Sequence, residues 1–294
     1  MEVDVDKYSQ VEKSARANEL IHKNILTKSK INDLNLKNWK EYADVLTDSL
    51  WLMGERDKSG AHKGDYHGNF IPQIPNQLMR RFTKKDDVVL DVFLGSGTTL
   101  IECKRLGRNG IGIELLPKVA EIAKQRISQE TLFDSKIFTE VLVADSTKKE
   151  TAEKVNEILK LQKKQNVQLI IIHPPYHDII KFSDRPDDLS NAKSVQDFLK
   201  LFGDVVSNFL DLLEKKHYLA IVIGDKYINS ELIPLGFMTM QEVINREGLT
   251  LKSIIVKNMV NNRGKLNQEN LWRYRALVGG FYIFKHEYIL LFKK

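Results

Sequence analysis

The feature that most constrains this chain is an alternation, from Asp87 onward, of short apolar runs with longer helical segments. The runs are rich in Val, Ile and Leu and are bounded by glycine, proline or polar residues, which predicts buried strands. The predicted strands are Val88–Phe93, Gly110–Leu115, Val141–Asp145, Val167–His173, Tyr218–Gly224, Leu249–Val256 and Tyr282–Phe292. The predicted helices between them are Thr98–Leu106, Pro117–Ile127, Ala152–Gln162, Val195–Leu213 and Met240–Glu247. This order predicts an α/β fold with a doubly wound, mostly parallel seven-stranded sheet.

The last strand is expected to differ in direction from the others. Only an irregular, hydrophilic connection precedes Tyr282–Phe292. A parallel strand needs a long crossover, which is usually a helix. We therefore predict that the last strand runs antiparallel to its neighbours.

The first part of the chain, residues 1–60, is polar and rich in Lys and Asn. Helical spacing is present around Trp39, Tyr42, Val45, Leu46 and Leu50. This pattern predicts an N-terminal helical extension at 1–60 and a main domain at 61–294. At their junction Gly60–Gly68 is predicted as a loop, and a helix at Asn76–Phe82 is expected to follow the prolines of Phe70–Pro75.

Composition and charge narrow the functional classes. A hydrophobic content of 42% and a charged content of 29% are typical of a globular protein, and no apolar run is long enough to span a bilayer. The single cysteine, Cys103, excludes an internal disulfide, and no histidine has ligand spacing, so no metal site is predicted. Because the polar N-terminus is not a secretion signal, the expected compartment is the cytoplasm. The net charge of +6 suits a nucleic-acid partner.

A glycine-rich turn, Asp91–Thr99, lies between the first predicted strand and the helix after it. Its glycines let the backbone approach a ligand, and the helix N-terminus presents free N–H groups. Glu114, at the end of the second strand, can accept hydrogen bonds from both hydroxyls of a ribose. Leu100 replaces the third glycine of a dinucleotide loop and Asp91 would repel a pyrophosphate, which favours S-adenosylmethionine over NAD. The candidate cofactor residues here are Asp91, Phe93, Gly95, Ser96, Gly97, Thr98 and Glu114.

Asp145, at the end of the third predicted strand, has two interpretations. Its carboxylate can accept a hydrogen bond from the adenine N6 amino group of the same cofactor. It can equally cap the helix that follows. The spacing does not decide between these roles, so Asp145 is a further candidate for cofactor binding.

A second motif, His173-Pro174-Pro175-Tyr176, follows the fourth predicted strand. Consecutive prolines hold the chain extended and fix the direction of their carbonyl groups. Such a carbonyl can accept a hydrogen bond from an exocyclic NH2 group, the first residue supplies a second acceptor, and Tyr176 can stack on a base. These four residues are the candidate catalytic residues, and their expected task is to orient the lone pair of an amino nitrogen.

Together the two motifs resemble those of the bacterial amino-methylating DNA methyltransferases of the N6-adenine and N4-cytosine type. The matching positions are Phe93, Gly95, Gly97 and Thr98 in the cofactor motif and Pro174, Pro175 and Tyr176 in the catalytic motif. Asn69–Pro75 is similar to the family element that covers the methionine end of the cofactor, which adds Asn69 and Phe70 to the cofactor candidates. The resemblance extends over about Tyr66–Lys294. It implies a class I, Rossmann-like methyltransferase that uses S-adenosylmethionine, flips its target base and serves restriction–modification.

One position departs from the family pattern, because His173 stands where the family has Asp, Asn or Ser. Neutral imidazole offers one acceptor nitrogen and carries no negative charge. In the family, Asp usually accompanies adenine, and Ser or Thr usually accompanies cytosine. His173 therefore leaves the target base open, and the missing charge favours N4 of cytosine slightly over N6 of adenine.

The segment Lys257–Arg275 mixes basic, amide and aromatic side chains ahead of the last strand. Arg and Lys suit phosphates, and Asn and Gln suit base edges, so DNA contacts are predicted near 257–277 and, after the turn, near 177–195. The candidate DNA-binding residues are Lys181, Arg263, Lys265, Asn267, Arg273 and Arg275. The expected partner is duplex DNA and not a membrane, with a homodimer or a partner specificity subunit left open. The alternatives are methylation of RNA or of a protein glutamine, and a non-catalytic subunit that only binds nucleic acid.

Overall fold

A computed structural model describes residues 31–66, 68–131, 137–228, 231–247, 249–260 and 268–294. The strands in these ranges are β1 (Leu50–Trp51), β2 (Val88–Asp91), β3 (Asn109–Glu114), β4 (Thr139–Val143), β5 (Val167–Ile172), β6 (Leu213–Ile223), β7 (Lys226–Ile228), β8 (Glu231–Ile233), β9 (Thr250–Asn258) and β10 (His286–Lys293). The helices are α1 (Gln73–Phe82), α2 (Thr98–Leu106), α3 (Pro117–Gln129), α4 (Lys149–Leu161), α5 (Val195–Leu210), α6 (Leu235–Glu247) and α7 (Glu269–Gly279). No helix among these residues is long and apolar enough to cross a membrane.

Eight of the described strands form one sheet, in the order β1-β9-β10-β6-β5-β2-β3-β4. The run from β6 to β4 is parallel throughout. β10 lies between β6 and β9 and is antiparallel to both. The prediction of a doubly wound, mostly parallel sheet with an antiparallel last strand is confirmed. The short strands β7 and β8 pair with each other outside this sheet.

Helices cover both faces of the sheet, which explains why its strands read as nearly continuous apolar runs. Val88 and Leu90 of β2 pack on one side, in a core that includes residues of α4, α5 and α6. Val89 packs on the other side with residues of α1 and with Trp51 and Cys103. Successive side chains of a strand point to opposite faces, so both must be apolar when both faces are buried.

The N-terminal region differs from the predicted helix. Its described part contains a 3₁₀ helix at Leu36–Tyr42, and Leu50 lies in a strand. β1 pairs in parallel with β9, with Leu50 opposite Val256, so the predicted seven strands become eight. Trp51 is only 1% exposed and packs in the core, which holds this segment against the sheet edge. The domain boundary at residue 60 stays a prediction.

Several predicted bounds are wrong for local reasons. α1 begins at Gln73, because Pro75 falls in the first turn, where a missing N–H costs no helical hydrogen bond. α5 ends at Leu210, because Leu213 already pairs with Val167 as the start of β6.

The connection before the last strand is also different from the prediction. It contains α7, whose C-terminus is capped by Gly280 in the left-handed conformation at φ 65°. No residue of α7 is buried, and its charged and amide side chains led to its prediction as part of an irregular, hydrophilic connection. The last strand begins at His286, and Tyr282, predicted to be in it, is 88% exposed.

Candidate functional site

The carboxyl ends of the parallel strands form one edge of the sheet, and the glycine-rich turn leaves β2 there. Asp91, the last residue of β2, is buried beneath this turn. Its Oδ2 accepts a hydrogen bond from Thr99 Oγ1 at 2.5 Å, and its Oδ1 accepts one from Phe93 N at 3.0 Å. Burial raises the pKa of Asp91 to about 6. Both oxygens thus hold the turn itself, and Asp91 does not line the cavity beside it.

Glu114 ends the neighbouring strand β3 and points at the same turn. Its Oε2 accepts from Gly95 N and its Oε1 accepts from Leu116 N, both at 2.9 Å. Burial raises the pKa of Glu114 to about 7, against the lowering effect of these two N–H donors. Each carboxylate oxygen keeps a second lone pair, so this anchored group can still accept hydrogen bonds from a ligand.

Asp145 lies two residues past the end of β4, and its two carboxylate oxygens have different surroundings. Its Oδ1 accepts from Thr147 N at 2.8 Å and Thr147 Oγ1 at 2.7 Å, which caps the turn before α4. Its Oδ2 is buried and has no hydrogen-bond partner in the described part of the chain, with Lys148 Nζ at 3.9 Å. A buried carboxylate oxygen without a donor is costly, so a ligand N–H at this point would be stabilising.

Asn69 and Phe70 form a short segment, here called the strap, that is hydrogen-bonded to the outer side of the glycine-rich turn. Asn69 Nδ2 donates to Ser96 Oγ at 2.8 Å, and Thr98 Oγ1 donates to Asn69 Oδ1 at 2.7 Å. These contacts use the polar groups of Ser96 and Thr98 to hold the strap, and neither residue, nor Gly97, lines the cavity. Asn69 and Phe70 do line it.

The sequence prediction missed Arg56, which supports the same strap. Its Nη1 donates to the carbonyl oxygens of Phe70 at 2.8 Å and Asn69 at 3.2 Å. Arg56 also lines the cavity. No local pattern marks it, because it lies in a segment that was predicted as an extension of the main domain.

The turn His173–Tyr176 follows β5 and enters the cavity from the other side. The rings of His173 and Tyr176 meet edge to face at 5.7 Å, and Phe70 packs on His173 at 4.9 Å. A Cβ atom on Gly224 would lie 3.1 Å from Cε2 of Tyr176, so glycine leaves the space that this ring occupies. Burial lowers the pKa of His173 to about 4, which makes its imidazole neutral near pH 7.

Two further polar residues close this side of the cavity. Tyr176 Oη donates to Glu287 Oε2 at 3.0 Å, and Lys257 Nζ donates to Glu287 Oε1 at 2.8 Å. Lys257 and Glu287 face each other across β9 and β10 and are 5% and 7% exposed. The prediction that counted Lys257 among the basic residues for DNA is therefore corrected, since its ammonium group is buried in an ion pair. Neither residue carries a sequence signal, because their meeting depends on the order of the strands.

A single cavity of about 920 Å³ connects these groups. One side, the loop wall, comprises Phe93, Leu94, Gly95, Glu114 and Asp145. The other side, the turn wall, comprises His173, Pro174, Pro175, Tyr176, Lys257 and Glu287. Each of the two sequence motifs thus supplies one side of the same cavity.

The predicted DNA-binding residues either do not line this cavity or fall outside the described residues. Lys181 is exposed and forms an ion pair with Asp184 at 2.5 Å. Arg273 and Arg275 are exposed on α7, with the Arg275 guanidinium 5.3 Å from the centre of the Trp272 ring. The remaining three, Arg263, Lys265 and Asn267, fall outside the described residues.

The chain is similar in sequence to known DNA methyltransferases. A family model described as DNA methylase, of the N6/N4 type, matches residues 3–125 and 167–294. Two curated relatives are the type II methyltransferases M.MjaII of Methanocaldococcus jannaschii, 33% identical over 33% of this chain and 20% of its own length, and M.BglI of Bacillus subtilis, 32% identical over 35% and 28%. The matches thus span less than a third of either relative. A solved methyltransferase from Pyrococcus furiosus has a TM-score of 0.46 and 14% identity over 79% of this chain and 87% of its own.

Proposed function

The chain belongs to the N6/N4 family of DNA methylases, and from this premise we propose that it transfers a methyl group from S-adenosylmethionine to the exocyclic amino group of a base in DNA. The observation that carries the proposal is the shared cavity, in which the loop wall and the turn wall face one space of about 920 Å³. Cavities of this order can hold a ligand of cofactor size. Methyl transfer requires donor and acceptor to meet, and one cavity between the two motifs satisfies that need.

The loop wall fits an adenosyl cofactor. Glu114 offers lone pairs to the two ribose hydroxyls while two backbone N–H groups hold it in place. Among the described residues no donor reaches the buried Oδ2 of Asp145, which leaves this acceptor for the adenine N6 amino group. We assign the strap at Asn69 and Phe70 the task of covering the methionine end, while Asp91, Ser96, Gly97 and Thr98 support the turn from behind. When bound, the cofactor supplies a methyl group on a positively charged sulfur.

The turn wall fits a target amino group. The carbonyl of Pro174 and the neutral ring of His173 supply acceptors for its two hydrogens, and Tyr176 supplies a face on which the base stacks. The base reaches this cavity only when it is flipped out of the duplex. Because His173 carries no charge near neutral pH, we favour N4 of cytosine slightly over N6 of adenine.

The basic residues outside the cavity fit the phosphates of duplex DNA. The net charge of +6 and the exposed Arg273 and Arg275 on α7 would attract the backbone, and Lys181 stands after the turn. Both curated relatives named above are type II methyltransferases, so we propose a role in restriction–modification.

The proposal is tested by incubating the protein with tritiated S-adenosylmethionine and, in parallel, duplex DNA, RNA and a protein extract. We expect label in DNA, and after digestion to nucleosides we expect it in N4-methylcytosine or N6-methyladenine. The first nucleoside would support the cytosine preference, and the second would reverse it. Label found only in RNA or protein, or no transfer with retained DNA binding, would replace the proposal by one of the alternatives.

A further inference from the structure

Four side chains on the turn wall form a chain of contacts into the cavity. Lys257 Nζ donates to Glu287 Oε1 at 2.8 Å, and Tyr176 Oη donates to Glu287 Oε2 at 3.0 Å. Tyr176 Oη lies in turn 3.4 Å from His173 Nε2. The four residues come from three separate strands or their ends, β5, β9 and β10. All four line the cavity.

The donors and acceptors in this chain determine where the proton of His173 lies. Glu287, paired with the Lys257 ammonium group, is an acceptor only. The one hydroxyl proton of Tyr176 is directed at Glu287, so Oη can only accept from His173. A neutral His173 ring that donates to Oη carries its proton on Nε2, which leaves Nδ1 without a proton. Within the described part of the chain, Nδ1 of His173 makes no hydrogen bond.

The unprotonated Nδ1 atom of His173 corresponds in position to the Oδ1 atom of an Asn or Asp side chain. Nδ1 is bonded to Cγ, as Oδ1 is in Asn and Asp, so it occupies the same place along the side chain. We infer that Lys257, Glu287 and the Tyr176 hydroxyl form a positioning chain that keeps His173 in the Nε2–H form, so that Nδ1 accepts a hydrogen bond from the target amino group. In the other tautomer Nδ1 would be a donor and would face the amino hydrogens unfavourably. This inference rests on the proposed function, and it holds for either base.

The tautomer can be measured without any methylation. In protein labelled with ¹⁵N-histidine, long-range proton–nitrogen spectra distinguish a protonated ring nitrogen from a bare one. The His173 signals are assigned by their loss in His173→Asn. We expect a proton on Nε2 and none on Nδ1 in the wild-type protein. A proton on Nδ1, or a doubly protonated ring near neutral pH, would overturn the inference even if DNA is methylated.

Tyr176→Phe separates the hydroxyl from the ring. If the ring only stacks on the base, this variant retains full turnover. The positioning chain predicts a mixture of tautomers at His173 and a fall in kcat of at least about tenfold, with the KM for S-adenosylmethionine unchanged. Tyr288→Phe is the matched control, since Tyr288 Oη also donates to a carboxylate, Asp225, at 3.0 Å. That control should lose similar stability and leave the His173 tautomer as in the wild type.

A rescue experiment tests the equivalence of Nδ1 and Oδ1. Asn at position 173 accepts through Oδ1 without any help from Tyr176. The double variant His173→Asn/Tyr176→Phe should therefore turn over several-fold faster than Tyr176→Phe alone. If the double variant is no faster than Tyr176→Phe, the hydroxyl acts in some other way and the inference fails.

The role of Glu287 is tested in a variant that also lacks its ion-pair partner, Lys257. Glu287→Gln alone leaves Lys257 buried without its counter-charge and risks unfolding. The double variant Lys257→Met/Glu287→Leu removes both charges and also the acceptor of the Tyr176 hydroxyl, and it should fold. We expect it to show mixed His173 tautomers and turnover reduced to the level of Tyr176→Phe. Wild-type tautomer and turnover in the folded double variant would overturn the role of Glu287, whereas a wild-type protein that methylates no DNA would refute the proposed function instead.

Discussion

The loop wall and the turn wall face the same cavity but are held in place in different ways. The loop wall depends on nearby chain segments, since Glu114 is anchored by the backbone of Leu116 and Gly95. The turn wall depends on long-range pairing, since Glu287 meets Tyr176 and Lys257 only because β10 lies between β6 and β9. Backbone donors hold a carboxylate whatever side chains surround it, whereas a side-chain network fails when one member is replaced. The comparison predicts that variants of the two walls have separable effects.

The largest expected effect is at the loop wall, in Gly95→Val. Gly95 has φ 55°, and a Cβ atom there would lie 3.3 Å from Cε1 of Tyr66, so valine strains the turn and displaces its N–H groups. We expect loss of S-adenosylmethionine binding and a fall in turnover of about hundredfold or more. Calorimetric titration with the cofactor, alongside the transfer assay, measures both.

The matched control for this variant is Gly280→Val at the end of α7. Gly280 also has positive φ, at 65°, but no atom of the described residues lies within 4 Å of a Cβ position there. It should lower stability by about 1 kcal/mol and leave cofactor binding intact. If Gly95→Val binds the cofactor as well as this control does, the loop wall is not the cofactor site.

A smaller effect is expected from the titration of Glu114. Because burial raises its pKa from 4.5 to about 7, the folded protein holds this proton to higher pH than the unfolded chain does. Glu114 therefore stabilises the fold most below its ordinary pKa, and that stabilisation is lost as the pH rises through about 7. Cofactor affinity should change in the opposite direction, because the ionised carboxylate is the better acceptor for ribose hydroxyls.

Cofactor affinity measured from about one pH unit below to about one unit above this pKa should rise by up to about tenfold, the ratio of the ionised fractions. Glu114→Gln should bind more weakly and lack this step, which separates Glu114 from titration of the ligand. Glu121→Gln, on the exposed face of α3, should titrate like the wild type. An unchanged pH step in Glu114→Gln would remove Glu114 from the cofactor site.

The smallest effect is expected outside both walls, on α7. Replacing the exposed Arg273 and Arg275 with Ala should weaken DNA binding by about fivefold. The salt dependence of binding should also fall, because a protein with fewer phosphate contacts releases fewer counterions from the DNA. Cofactor affinity should not change. Fluorescence anisotropy with labelled duplex DNA at several salt concentrations measures this, with exposed Lys154 and Lys160 of α4 replaced by Ala as the control. An equal loss of DNA affinity in the control would show that the effect comes from net charge and not from contacts made by α7.

The same comparison explains how much could be predicted from sequence. The glycine-rich turn and α2 were predictable because a strand, two glycines and a helix follow one another, and the predicted bounds Thr98–Leu106 are those observed. Glu114 and the turn at His173–Tyr176 were predictable for the same reason, since each directly follows or ends a strand. Their placement at one edge follows from the parallel order of the strands.

What escaped prediction depends on contacts between distant residues or on elements without periodicity. From the sequence alone, Lys257 cannot be distinguished from a surface lysine. Only the register of β9 with β10 shows that it faces Glu287. α7 places no residue in the core, and its charged and amide side chains led to its prediction as a hydrophilic connection. β1 has two residues, too few to show the alternation of a strand.

If the two walls perform separate tasks in one reaction, Tyr176→Ala should affect only one of those tasks. This variant removes the stacking ring and the hydroxyl from the turn wall and leaves the loop wall unchanged. Cofactor affinity and single-turnover methyl transfer to duplex DNA are measured on the same preparation, after thermal unfolding shows that it is folded. We expect a cofactor Kd within about threefold of wild type and a transfer rate lowered by about hundredfold or more. A parallel loss of both, or transfer at the wild-type rate, would contradict it.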